Sequence, residues 1–274
     1  MTINCNGKLI DLTSPKVMGI LNITPNSFFD GGKYADENSI LQQVEKMLID
    51  GATFIDVGAY SSKPNAEFVS EEEEIERLLP VVELILKNFP ETLISVDTFR
   101  ATVAKKAIEN GACIVNDISA GNLDENMMQT VAKLQVPYIM MHMKGNPQTM
   151  QSLAQYENIV KEMLFYFSEK IVQARSLGIN DLIIDPGFGF AKTLEQNFEV
   201  MNNLDLFQML ELPFLVGISR KSMIYKTLET SAEFALNGTT VLNTIALQKG
   251  AIILRVHDVK EAVECVKLYN SLIG

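Results

Sequence analysis

The stretch "LISVDTFRATVAKKAIENGACIVND", residues 93–117, holds two short apolar runs joined by a segment with a helical signal. Both runs, "LISVD" (93–97) and "CIVND" (113–117), are nearly continuous in hydrophobicity rather than alternating. That is the pattern of parallel strands covered on both faces. Each run stops at an acid, and Gly111 stands where the intervening helix would end in a left-handed cap.

The same unit repeats in both directions. Further runs are "VMGILN" (17–22), "FIDVG" (54–58), "YIMMHM" (138–143), "LIIDPG" (182–187), "FLVGIS" (214–219) and "IILRVHD" (252–258). Between them Ser70 with Glu73 and Thr193 with Gln196 form capping boxes, and Asp258 with Glu261 resembles a third. Glu71 to Glu74 place acid in a first helical turn, where the macrodipole favours it. Leu78, Leu79, Val82, Ile85, Leu86 and Phe89 then make one apolar stripe, and Gly51 and Gly178 mark further helix ends.

Eight strands alternating with helices within about 250 residues is the pattern of a (β/α)8 TIM barrel of the α/β class. A doubly wound open sheet would carry a glycine fingerprint after its first strand, and "NITPNS" (22–27) is not one. The expectation is one barrel domain over residues 1–274, with a short N-terminal extension able to plug it.

The chain has 274 residues, 47% of them hydrophobic, enough for a full core. No apolar run approaches the ~18 residues of a membrane span, and the N-terminus lacks a signal-peptide pattern. Cys5, Cys113 and Cys265 are too few and too far apart for a disulfide framework or a zinc knuckle, so a reduced cytoplasm is expected. A net charge of −11 argues against nucleic-acid or membrane partners, but not against a small anionic substrate.

In a barrel of this kind chemistry collects at the C-terminal ends of the strands. Those ends carry Asn22, Asp56, Asp97, Asn116, Asp117, His142, Asp185, Ser219 to Lys221, Arg255 and His257. Arg255 and His257, two apart on the last strand, share a face, and with Lys221 they point to a phosphate or pyrophosphate site. Each residue has a plainer reading. Asp117 and Asp258 suit helix caps. The glycines of "GFGFAK" (187–192) suit a steric role, His142 suits a satisfied interior histidine, and Ser219 does not complete a nucleophile elbow. Polar groups at nearly every strand end are harder to explain as structure alone.

The motifs "MGILNITPNSFFDGG", "SVDT", "IVNDISAG", "MHMKGNPQTMQ", "DPGFGFAKTLEQN", "LVGISRKSM" and "RVHDVKE", in this order, resemble the dihydropteroate synthase family from end to end. The resemblance implies a homodimeric barrel of folate synthesis. It would join 6-hydroxymethyl-7,8-dihydropterin pyrophosphate to p-aminobenzoate and release pyrophosphate. Carried over motif by motif, it implies that Asp97, Asn116, Asp185 and Lys221 bind the pterin, with Met141 lining its pocket and Arg255 over its face. Asn22 would hold Mg²⁺ with the pyrophosphate, whose oxygens Arg255 and His257 would contact. Ser222, Phe190 and Phe28 would meet p-aminobenzoate. Ser62 and Lys63 would serve both ligands from the second loop.

That loop departs from the family's pattern. Where the family shows a sequence close to "GGESTRPGA", residues 58–66 read "GAYSSKPNA", so Ser62 stands for Thr and Lys63 for Arg. Lysine keeps the charge and loses the bidentate fork. Ala191 also stands where the family commonly has Gly.

Overall fold

The structure, a computed structural model, describes residues 1–23, 33–60 and 69–273, without the side chains of 33–36. An antiparallel hairpin comes first, β1 (Thr2–Cys5) and β2 (Lys8–Asp11). Eight parallel strands follow: β3 (Lys16–Asn22), β4 (Phe54–Gly58), β5 (Leu93–Asp97), β6 (Ile114–Asp117), β7 (Tyr138–Met141), β8 (Leu182–Asp185), β9 (Leu215–Val216) and β10 (Ile253–Val256). Their order is β8-β7-β6-β5-β4-β3-β10-β9. A parallel bridge between Ile184 and Phe214, just ahead of β9, joins the two outer strands and closes the sheet on itself. The expected eight-stranded barrel is what forms.

Alternation along the strands divides the core in two. Outward residues such as Leu21, Val57, Val96, Val115, Ile184 and Leu254 pack under the helices in one large cluster. Leu78, Val82 and Ile85 of the helix Glu71–Asn88 meet them there, as the stripe predicts. Inward residues at the strand starts, Met18, Phe54, Ile114, Ile139, Ile183, Leu215 and Ile253, form a second cluster with Ile3, Cys5, Ile10 and Leu12 of the hairpin segment. The hairpin is therefore the floor of the barrel. The Asn4 backbone N–H donates to Asp181 Oδ2 (2.7 Å) and Asn6 Nδ2 to the Gly111 carbonyl (3.0 Å), tying the floor to the loops beneath β8 and β6.

Several local expectations change. Thr193 and Gln196 make the full reciprocal box, whereas Ser70 caps Glu73 N–H but the Glu73 carboxylate turns to Arg77. Asp258 spends its carboxylate on an ion pair with Arg220 (2.8 and 2.9 Å). Glu74 is not a solvated first-turn acid. It is fully buried, accepts from Thr98 Oγ1 (2.7 Å) and pairs with Arg100, which also donates to the Val69 carbonyl (2.7 Å). Burial raises the Glu74 carboxyl above its ordinary value, and Thr98 and Arg100 oppose that.

Candidate active site

Above the floor the inward positions become polar. Asp56, Ser95, Asn116, Asp185 and Arg255 lie two residues beyond the apolar ring on their strands, and Asn22, Asp97 and His257 one step higher at the rim. A strand with two-residue periodicity can bury its start and expose its end on one face, so a few positions per strand set both the floor and the site.

Arg255 is the centre of the cluster. Its Nε donates to Asp56 Oδ2 (2.6 Å) and its Nη2 to Asp97 Oδ2 (2.6 Å), so one guanidinium bridges two carboxylates. Asn116 Nδ2 also donates to Asp56 Oδ2 (3.1 Å). Asp56 is fully buried, yet its Oδ1 has no hydrogen-bond partner among the described residues, and neither has Ser95 Oγ. Burial pushes the Asp97 carboxyl up to about 7, Arg255 opposes this, and the Asp56 charge adds to it. The Arg255 guanidinium, despite its burial, is held above its ordinary value by Asp56 and Asp97.

Asp185 ends β8 and takes the Gly187 N–H on Oδ1 (2.7 Å). Burial raises its carboxyl, with Lys221 as the main opposing charge. Lys221 is itself pushed down to about 8 by burial, with Asp185 opposing. Its ammonium donates to the Phe188 carbonyl (2.6 Å) and lies 4.9 Å from the Phe190 ring centre. Phe190 packs with Met141, Met143, Met150 and Ala191 in a small apolar patch beside these charges. Ser222 follows Lys221 as the first residue of the helix Ser222–Thr227. On the last strand's exit His257 is exposed, and its backbone N–H and Nδ1 both meet Ser219 Oγ (3.2 and 3.0 Å).

The structure thus gathers Asp97, Asn116, Asp185, Lys221 and Arg255 in the barrel, with Met141 and Phe190 on one wall and Asn22 and His257 at the rim. Phe28, Ser62 and Lys63 lie outside the described residues. Asp117, by contrast, points away from the site. It accepts from Tyr138 Oη (2.6 Å), Ser119 N–H (2.8 Å) and Gly121 N–H (2.7 Å), ordering the turn after β6.

Two residues gain weight. Asp56 stands inside an apolar strand rather than at its end, and a charge in that position signals a buried partner. Lys192 is 3% exposed and donates to the Gly187 and Phe190 carbonyls (2.9 and 3.0 Å). The first glycine of "GFGFAK" is steric, and Gly189 is there for its φ of +84°. A Cβ on Gly187 would come within 2.3 Å of the His142 carbonyl oxygen, and its φ is +68°. Ala191 has φ +47°, which accounts for glycine being common there in the family.

A closed (β/α)8 barrel with a buried amide, paired acids and two cations at its strand ends defines the class, a barrel enzyme with a polar site at the strand ends. The family described as "Pterin binding enzyme" matches residues 18–257. Dihydropteroate synthase of Haemophilus influenzae is 42% identical over 273 residues, covering 99% of this chain and 98% of that protein. Among solved structures, Yersinia pestis dihydropteroate synthase in a sulfonamide drug complex superposes with a TM-score of 0.93 at 39% identity, covering 100% of this chain and 99% of that one. The Xanthomonas albilineans enzyme with 4-aminobenzoic acid gives a TM-score of 0.92 at 34% identity, covering 100% and 98%. The chain belongs to the dihydropteroate synthase family, transferases of folate biosynthesis.

Proposed function

We propose that this enzyme condenses 6-hydroxymethyl-7,8-dihydropterin pyrophosphate with p-aminobenzoate, giving 7,8-dihydropteroate and pyrophosphate, with Mg²⁺ as cofactor. The observation that carries the reading is the Arg255 fork across Asp56 and Asp97, with Asn116 and Asp185 on the same inner face. A pterin presents a donor and acceptor edge. A buried carboxylate held by Gly187 N–H suits its amino-pyrimidine N–H pair, and the Asn116 amide suits a mixed edge. The unpartnered Asp56 Oδ1 and Ser95 Oγ are further acceptors that a donor-rich ring or water would satisfy. Burial raises the Asp185 carboxyl above its ordinary value, and Lys221 beside it is the main charge favouring the ionised form.

Pyrophosphate leaves readily only when its charge is neutralised. Arg255, still cationic through its two acids, and His257 at the rim stand where they can take its oxygens. Ser219 Oγ engages Nδ1 of His257 and helps to fix the ring at the rim. Asn22 ends β3 at the same rim and offers an amide oxygen. Among the described residues no group of three or more acidic, His or Cys side chains could hold a metal alone. That donor set fits Mg²⁺, which is commonly held by one or two protein oxygens and completed by substrate phosphates. Bound there, Mg²⁺ supplies further charge neutralisation to the leaving group.

As the C–O bond breaks, the electron-rich dihydropterin stabilises the cationic methylene carbon. The aniline nitrogen then attacks it and sheds a proton. The chain's part is to hold the ring, neutralise the departing anion and place the amine against the apolar wall of Met141 and Phe190. No protein nucleophile is needed. We further take the working form to be a cytoplasmic homodimer. Purified enzyme with Mg²⁺ and the pterin ester should form dihydropteroate only when p-aminobenzoate is added, with pyrophosphate released; no product at any enzyme loading would reject this function.

A further inference from the structure

Lys192 is a buried charge with no place in the chemistry described above. Among the described residues its polar contacts are the Gly187 carbonyl (2.9 Å), the Phe190 carbonyl (3.0 Å) and His142 Nδ1 (3.1 Å). An ammonium has three N–H groups, so every one is used. It only donates, so Nδ1 of His142 is the acceptor and the ring proton sits on Nε2. His142 is 2% exposed, lies edge-on to Tyr166 and is held well below its ordinary value by burial and by Lys192 and Lys144. It is neutral.

The two carbonyls belong to the loop between β8 and the helix Leu194–Asn202. Both lie one step from a substrate group. Gly187 donates its N–H to Asp185, while Phe190 carries the ring beside Lys221. Around them, Gly189 N–H donates to Asn197 Oδ1 (2.7 Å) and Lys221 donates to Phe188 O (2.6 Å). Lys192 alone among these side chains spans the loop from Gly187 to Phe190, and His142 fixes it to the end of β7.

We propose that Lys192, seated on His142, is a positioning residue for both substrates. It sets Gly187 so that Asp185 is aimed at the pterin, and it sets Phe190 so that its ring flanks the p-aminobenzoate. The proposal rests on the functional reading given above. The groups facing Lys192 are His142 at the end of β7, Lys144 beyond it, Asp185 from β8 and Lys221 after β9. Burial pushes Lys192 down to about 7, with Asp185 opposing. A neutral amine would still have two N–H groups for the two carbonyls and would then accept from His142, so the loop is held in either state.

A purely structural lysine would cost stability and leave substrate affinity alone. Positioning predicts that K192M, assayed while folded by circular dichroism, raises KM for both substrates about tenfold or more. Added propylamine should partly restore K192A. Wild-type KM values in a folded K192M would overturn the proposal. Should neither variant fold, H142A decides, because it removes only the seat of Lys192 at the end of β7: KM raised for both substrates supports the proposal, and wild-type KM values would overturn it. Wild-type enzyme that forms no product rejects the functional reading instead, and calorimetry of each ligand on wild type and K192M still decides the positioning role.

Discussion

Arg255 Nε donates to Asp56 Oδ2 at 2.6 Å, although 199 positions separate the two residues. Pairing of the last strand, β10, with β3 places it across β3 from β4, and the pair is then shut away from water on the Asp56 side. Removing one partner of a buried ion pair leaves the other uncompensated, at a cost of about 3–5 kcal/mol. D56N should therefore lower unfolding stability by an amount of this order and also slow turnover. Chemical denaturation checks the first part; an unchanged midpoint would mean that the fork is not structural.

Asp185 should govern affinity for the pterin. D185N replaces a charged acceptor with an amide that must present one N–H where an acceptor is wanted. Hydrogen bonds to charged groups contribute about 1.5–3 kcal/mol, so calorimetry should show pterin binding weakened roughly 10- to 100-fold. Equal affinity in the variant would remove Asp185 from the site.

Activity should fall on the alkaline side. Lys221 sits near 8, depressed from 10.5, so its ammonium is lost as pH rises through about 8. Its charge supports the ionised form of Asp185, and both effects weaken together above that point. A pH profile of kcat/KM should show this limb in the wild type. K221R, whose guanidinium stays charged, should shift it upward.

Asp97 makes the opposite statement about stability. Its carboxyl is raised from 3.8 to about 7, so the folded state holds this proton more tightly than the unfolded chain does. The stabilising contribution is complete below about 4 and is lost as pH rises through 7. Thermal melts of D97N should accordingly lose less stability than the wild type between those limits.

The floor gives a prediction free of chemistry. Ile3 is 2% exposed among Met18, Phe54 and the other inward residues at the strand starts. I3A should cost about 2–5 kcal/mol with KM values unchanged, since the floor lies at the far end from the site.

The barrel was legible because buried parallel strands write themselves as short apolar runs, and the acids at 97 and 185 were legible because they interrupt those runs. What burial alone decides was not. Glu74 has the sequence context of a solvated first-turn acid, and only packing shows that Thr98 and Arg100 face it. Lys192 looks like a loop cation until its three partners, from β7's exit and its own loop, are assembled. Asp117 shares its strand-end position with Asp97, yet one residue of phase turns it to the helix side and Tyr138. The β9 run keeps ladder pairing only at Leu215 and Val216, with a single bridge at Phe214 ahead of it.

The most direct measurement follows the bond that forms. Wild-type enzyme given nitrogen-15 p-aminobenzoate, the pterin ester and Mg²⁺ should yield dihydropteroate carrying the label by mass spectrometry, with pyrophosphate released in equal amount. Pyrophosphate without labelled product, or no reaction while both ligands bind, would contradict the assignment.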